Sequence, residues 1–299
     1  MRAAMGRAYG WMLLGAAAFA VMATLSRAAA DRCDWRIVTL ARAGFMLVFA
    51  LAIGRARRVP VPFPGPRALW VRSLAGSCAI FCTFYAYTHL PVGDASALVN
   101  MVPVWVTLLS WPLLGRRPPL SVFAAVAVCV GGVVLLAEPH FRASGFGVAA
   151  GAASSLFTAV VMLSLHRLKD VDPGSVVTHF SAVATAATGA VFVASPEAVR
   201  ESAALAPPTW AMLLSLALAG TVGQVGLTRA FAKGEPSRVA LVGMSQIPLA
   251  TLLEIVFLGR SYTARSLLGM ALVAAPTAWI LLRRAAPPAI VEEQGRDST

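Results

Sequence analysis

Apolar runs of roughly twenty residues, each closed by a short polar or proline-bearing break, follow one another along almost the whole chain. They cover 8–26, 36–54, 68–87, 95–113 and 119–136, and then 146–165, 176–194, 209–231, 238–257 and 265–282. A helix of about 20 residues crosses the hydrocarbon core of a bilayer, so the pattern predicts ten spanning helices. The breaks carry turn chemistry: Asp31 and Asp34, Pro60 to Pro66, Pro91 with Gly93, Pro118 with Pro119, Pro139, Pro173 with Gly174, Pro196, Pro207 with Pro208, and Gly234 with Pro236.

One stretch occurs twice. Residues 85–115, YAYTHLPVGDASALVNMVPVWVTLLSWPLLG, recur in altered form at 230–259, AFAKGEPSRVALVGMSQIPLATLLEIVFLG. Pro91 and Pro103 match Pro236 and Pro248 at one constant offset, Asn100 falls on Ser245, and Gly115 lands within one residue of Gly259. The chain therefore divides into a first unit over 1–137, a second over 138–284 and a polar tail over 285–299 expected to be disordered in the cytoplasm.

Composition agrees with a membrane domain: 58% of the residues are hydrophobic and 13% charged, about half the charge of a soluble domain. The net charge of +12 does not point to nucleic acid, because the arginines stand in small groups at the ends of apolar runs and form no continuous stripe. Cys33, Cys78, Cys82 and Cys129 lie mostly inside apolar runs without the partners of a metal site, and read as packing thiols. The N-terminus imitates a secretory signal, but its run from Ala8 to Leu25 is as long as a spanning helix and is expected to be retained.

The basic residues set an orientation. One side collects Arg2, Arg7, Arg55, Arg57, Arg58, Arg67, Arg72, Arg116, Arg117, Arg167, Lys169, Arg229, Lys233, Arg238, Arg283, Arg284 and Arg296, against Arg27, Arg32, Arg36, Arg142, Arg200, Arg260 and Arg265 on the other. The first side is expected to be cytoplasmic and to hold both termini. With five spans in each half, the second half must be inserted upside down. The expected fold is all-α integral membrane, ten transmembrane helices in two inverted five-helix repeats, a recurring design of secondary transporters.

Tyr85, Ala86 and Tyr87 before the hinge, Leu90 and Pro91 with the small-residue turn after them, Pro103 in the fourth span and Arg42 in the second resemble the EamA-type proteins of the drug/metabolite transporter superfamily. The resemblance runs from the first span to about Leu282. It implies the ten-helix inverted repeat and movement of small metabolites across the cytoplasmic membrane, often outward. The chain departs from that family where Gly115 and Gly259 are followed by Arg116 and Arg260 instead of glutamate, so that any ion pairing there has been lost or moved.

Arg42 is the first candidate site residue, because a charge well inside a span faces a cavity or a partner. Glu254 in the ninth span shares its depth. Arg42 reads as a carboxylate or phosphate anchor or as the gate partner of Glu254, and equally as half of a structural ion pair or as an arginine snorkelling to the headgroups. Ser96, Asn100, Pro103, Thr107 and Ser110 recur at helical spacing on one face of the fourth span, with Ser245 and Pro248 on the matching face of the ninth. That face is expected to line a central cavity, with helix-to-helix contact as the alternative. Trp105 and Tyr85 are candidate aromatic walls, while Tyr87, Trp111 and Trp70 read as interfacial belt. Gln224 and His179 are lone polar groups that suit either substrate or a neighbouring backbone. Substrate binding is thus assigned to Arg42, Asn100, Tyr85, Trp105, Gln224, Ser245 and His179, and gating or coupling to Glu254, Arg42, Pro103 and Pro248.

No His-Glu-x-x-His helix, Gly-x-Ser-x-Gly elbow or Walker loop occurs in the sequence, which argues against an intramembrane enzyme and against ATP-driven transport. A non-transporting receptor or assembly factor remains as an alternative. The expectation is an inner-membrane carrier of small metabolites, with a weak preference for amino acids or other carboxylates. Its partners are the substrate and the lipid bilayer, with no nucleic acid, cofactor or metal; proton or counter-substrate coupling and monomer or homodimer stay open.

Overall fold

In the computed structural model, which describes residues 2–58, 65–90, 92–115, 117–138 and 145–285, every regular element is a helix. The first five spans are α1 (Arg2–Ala30), α2 (Trp35–Ala56), α3 (Arg67–His89), the pair α4 (Val92–Val99) and α5 (Val102–Leu114), and α6 (Leu120–Ala137). Next come α7 (Gly145–Arg167), α8 (Pro173–Val193), the short α9 (Pro196–Ala203), α10 (Pro207–Lys233), the pair α11 (Pro236–Gly243) and α12 (Gln246–Leu258), and α13 (Ala264–Ala285). Among the described residues ten segments are long and apolar enough to cross a membrane, and each of the ten expected runs falls on one of them. The expected breaks at Pro91, at 59–64 and at Pro139, together with Arg116 and the tail from 286, lie outside the described residues.

Local chemistry explains the helix ends. Asp34 accepts a 2.7 Å hydrogen bond from the Arg36 amide at the start of α2, and Asp172 accepts from the amides of Gly174 and Ser175 at the start of α8. Proline opens α8, α9, α10 and α11, where the missing N–H is no loss. Within the spans, Thr24, Ser110, Ser164 and Thr221 return their hydroxyl protons to carbonyls one turn earlier. In hydrocarbon no water would satisfy them.

The fourth and ninth spans break at corresponding places. Each is an eight-residue helix followed by a 13-residue helix, interrupted at Asn100–Met101 and at Met244–Ser245. Pro103 and Pro248 sit just past the interruptions and cannot donate to the preceding turn. The polar face expected to run unbroken from Ser96 to Ser110 is therefore divided between two helices. Both spans then end on a left-handed glycine, Gly115 at φ 66° and Gly259 at φ 61°, a conformation in which a Cβ would be strained.

The packing is symmetric under exchange of the halves. α1 lies along α10 as α7 lies along α3, α2 faces α8, and α6 faces α13. Close crossings are made by glycine: a Cβ on Gly226 would meet the Trp11 carbonyl at 2.7 Å, and one on Gly132 would meet the Gly269 carbonyl at the same distance. Spans four and nine run in opposite directions. Ser110, near the end of α5, lies 3.3 Å from Ser237 at the start of α11. At the other end Tyr87, hydrogen-bonded to Ser96 of α4, lies within electrostatic reach of Glu254 near the end of α12.

Candidate functional site

Three polar assemblies stand inside the bundle. The first surrounds Arg72, which the reading of charges assigned to the cytoplasmic side. Arg72 is the sixth residue of α3 and is fully buried. Its Nη2 donates to Gln224 Oε1 of α10 at 2.8 Å, and its guanidinium lies 3.8 Å from the centroid of the Phe180 ring. Beside it, Ser73 Oγ and His179 Nδ1 are 2.8 Å apart, and Trp70 meets the His179 ring edge-on at 4.6 Å. Trp70 is thus part of this cluster and not only of an interfacial belt.

The second assembly closes the bundle at the end of α12. Glu254 is 7% exposed, and its Oε2 accepts a 2.7 Å hydrogen bond from the Tyr262 hydroxyl. Arg27, from the last turn of α1, and Arg260 each lie 3.9 Å from a Glu254 oxygen. The expected pairing of Glu254 with Arg42 is not formed. α12 packs on α1, whereas α2 packs on α8 and α10, so equal depth does not bring these two side chains together. Arg42 turns instead to α10, where a Cβ on Gly220 would lie 3.9 Å from its Nε, and that Nε has no hydrogen-bond partner. Arg260, which follows Gly259 where the resemblance has glutamate, lies 3.9 Å from Glu254 Oε2.

The third assembly is the pair of breaks. Asn100 Nδ2 donates to the Ser96 carbonyl at 2.8 Å and reaches the Ser96 hydroxyl at 3.3 Å. Ser245 Oγ donates to the Val242 carbonyl at 2.8 Å. Both carbonyls also accept a backbone amide, that of Asn100 at 3.1 Å and that of Ser245 at 3.2 Å, so each break-point side chain adds a second hydrogen bond to a carbonyl the backbone already serves. Pro103 and Pro248 are both buried beside them, and Thr107, 1% exposed, keeps a hydroxyl with no partner.

Gln224 and His179 thus meet in one cluster, with Arg42 one helical turn away along α10. Asn100 and Ser245 mark the two interruptions. Trp105 donates its indole N–H to Ser155 of α7 at 3.1 Å, a contact between helices. Tyr85 stands apart, 37% exposed, stacked on His89 and edge-on to Phe146. Its neighbour Tyr87, read as belt, is the tyrosine that reaches Ser96. Arg72, Arg27 and Tyr262 lie outside the expected set, although Arg72 falls inside the apolar run 68–87 and is there, like Arg42, a charge within a span. A surface hollow of about 610 Å³, lined among others by Arg36, Glu197 and Arg200, shares none of the expected site residues.

Comparison with known proteins bears on this arrangement. Residues 6–137 match the EamA-like transporter family. The pseudopaline exporter CntI of Pseudomonas aeruginosa is 31% identical over 235 residues, which cover 77% of this chain and 80% of the exporter. The chain belongs to the EamA-like transporter family. A more distant relative is mouse solute carrier family 35 member G1, 22% identical over 249 residues that cover 74% of this chain and 64% of the mouse protein. A solved crystal structure matches the fold with a TM-score of 0.76 at 20% identity, over 93% of this chain and 99% of the other. This EamA protein is a multi-pass membrane protein and a transporter by kinship. The two interrupted spans lie within a bundle of ten.

Proposed function

We propose that the protein is a secondary transporter that exports a small carboxylate-bearing metabolite across the cytoplasmic membrane by alternating access. The observation that carries this reading is the pair of matched interruptions at Asn100–Met101 and Met244–Ser245, in spans that run in opposite directions. Discontinuous helices at equivalent points of two inverted repeats are where transporters form their midplane sites. The arrangement supports two inverted five-helix units over 1–137 and 138–284, and the excess of Lys and Arg on one side supports placing both termini in the cytoplasm. The kinship with an exporter of pseudopaline supports the outward direction.

In this reading Arg42 anchors a substrate carboxylate, since its Nε is buried without an acceptor. Asn100 and Ser245 release their local carbonyls and turn to substrate as the interruptions flex, with Pro103 and Pro248 keeping those turns from closing into continuous helix. Glu254 with Tyr262, Arg27 and Arg260 forms the outer closure.

Purified protein in proteoliposomes, loaded with a broad panel of labelled metabolites, tests the proposal. Efflux of at least one compound, abolished by Arg42→Ala and Asn100→Ala in protein that remains monodisperse, is the expected result. Sealed vesicles with no gain in permeability to any compound would favour a receptor or assembly factor. Labelling of cysteines placed in 92–95 and in 234–237 from the same face would overturn the inverted repeat.

A further inference from the structure

Arg72 is fully buried with two of its three guanidinium nitrogens unpaired. A guanidinium has five N–H donors. Here Nη2 bonds to Gln224, while Nε and Nη1 are buried with no acceptor. The four ion pairs among the described residues involve Arg27, Arg36, Arg238 and Arg260, so no carboxylate of the described residues answers Arg72. A charged side chain held inside a span without a counter-ion is costly, and such groups mark ion and substrate pathways. The Phe180 ring face recovers part of that cost and fixes the plane of the guanidinium.

Arg42 repeats the pattern from the other side. Its Nε also lacks an acceptor and lies against Gly220. Gly220 and Gln224 are four residues apart, one turn along the same face of α10, and Gly220 is the midpoint of that 27-residue helix. Two cations, the half-buried Arg42 of α2 and the fully buried Arg72 of α3, therefore approach α10 on adjacent turns near its midpoint.

We propose that Arg72 is the second anion-binding arm of a two-arginine site whose ligand carries two carboxylates, one for Arg42 and one for Arg72. The proposal rests on the transport reading and specifies its substrate class. The Gln224 carboxamide oxygen occupies the acceptor position that a carboxylate oxygen takes when ligand arrives, and so holds Arg72 in place while the site is empty. Ser73, His179 and Trp70 brace α3 against α8 around it and act as positioning residues. Recognition involves hydrogen bonds and charge only, with no covalent step.

Thermal unfolding of the purified full-length protein tests this with succinate, glutarate and adipate, the monocarboxylates butyrate and valerate, and the uncharged succinamide. Sodium chloride at matched ionic strength is the control. At least one dicarboxylate is expected to raise the apparent Tm saturably, by on the order of 5 °C at a hundredfold excess over Kd, with monocarboxylates weaker and succinamide silent. Arg72→Gln should weaken the dicarboxylate at least tenfold. Gln224→Glu, which places an internal carboxylate on Arg72, should raise Tm without ligand and remove the response. If Arg72→Gln does not fold, the Gln224→Glu result and the wild-type comparison decide alone. Dicarboxylates that protect no better than monocarboxylates, or a Gln224→Glu protein that responds like wild type, would overturn the proposal. Proteoliposome flux separates it from the broader reading: transport confined to neutral or cationic compounds leaves the transporter and removes the dicarboxylate site. Dicarboxylate binding without any flux does the reverse.

Discussion

Tyr262 donates its hydroxyl proton to Glu254 Oε2 at 2.7 Å, joining the loop that follows α12 to a nearly buried carboxylate on α12. A hydrogen bond to a charged acceptor is worth more than a neutral one, whereas the two arginines at 3.9 Å have side chains 37% and 43% exposed and contribute little through screened charge. Tyr262→Phe should therefore destabilise by about 1–2 kcal/mol, and Arg260→Gln by well under 1 kcal/mol. Thermal or denaturant unfolding in detergent checks the order.

The same bond sets a pH limit. Burial, and then the neighbouring Glu254, push the Tyr262 phenol up to about 12, against an ordinary value of about 10. A raised folded-state value means that the folded protein keeps this proton longer than the unfolded chain. The resulting stability is whole below about pH 10 and is lost as pH rises towards 12. In an ultraviolet titration Tyr262→Phe should remove a late-ionising tyrosine, and the alkaline loss of stability between pH 10 and 12 should become shallower.

Adjacent glycines on α6 should behave oppositely. A Cβ on Gly131 meets nothing within 4 Å, while one on Gly132 meets backbone of α13 at 2.7 Å. Gly131→Ala should be neutral or stabilising by about 0.5–1 kcal/mol. Gly132→Ala should cost about 1–3 kcal/mol by overpacking. Unfolding midpoints of the two variants decide it.

The interruptions predict a pattern of hydrogen exchange. Amides of 99–102 and 243–247 should exchange at least tenfold faster than those in the middle of α5 and α12, because the α-helical ladder gives way there to poorer three-residue bonds at Met101, Met244, Ser245 and Ile247. Pro103→Ala and Pro248→Ala should slow local exchange and, if the breaks flex in transport, reduce flux more than stability. Equal exchange across the fourth span would remove the break as a mobile point.

The ten spans were legible because apolar length is a direct consequence of bilayer thickness, and Pro103 and Pro248 announced the breaks, though not that the backbone parts there. Depth could be counted along the sequence, so Arg42 and Glu254 were correctly seen as charges inside spans. Azimuth could not. In lipid the outward face of a helix is as apolar as the inward one: Leu108, Leu218 and Val256 are 51%, 53% and 71% exposed. No periodicity therefore tells which face turns inward, and Tyr85 and Tyr87, expected to differ, are equally exposed at 37%. Arg72 was counted with the loop because charges near a run's end usually belong to the headgroup region. Its partners Gln224 and Phe180 are more than a hundred residues away.

Where α1 crosses α10, Gly15 and Gly226 bring main chain against main chain. Interlocked side chains would have to leave their rotamers for one half to turn on the other, but a bare contact of this kind offers no such teeth. In the transport reading proposed above, this crossing is where the halves would pivot, and a methyl group on Gly226, meeting the Trp11 carbonyl at 2.7 Å, would block it.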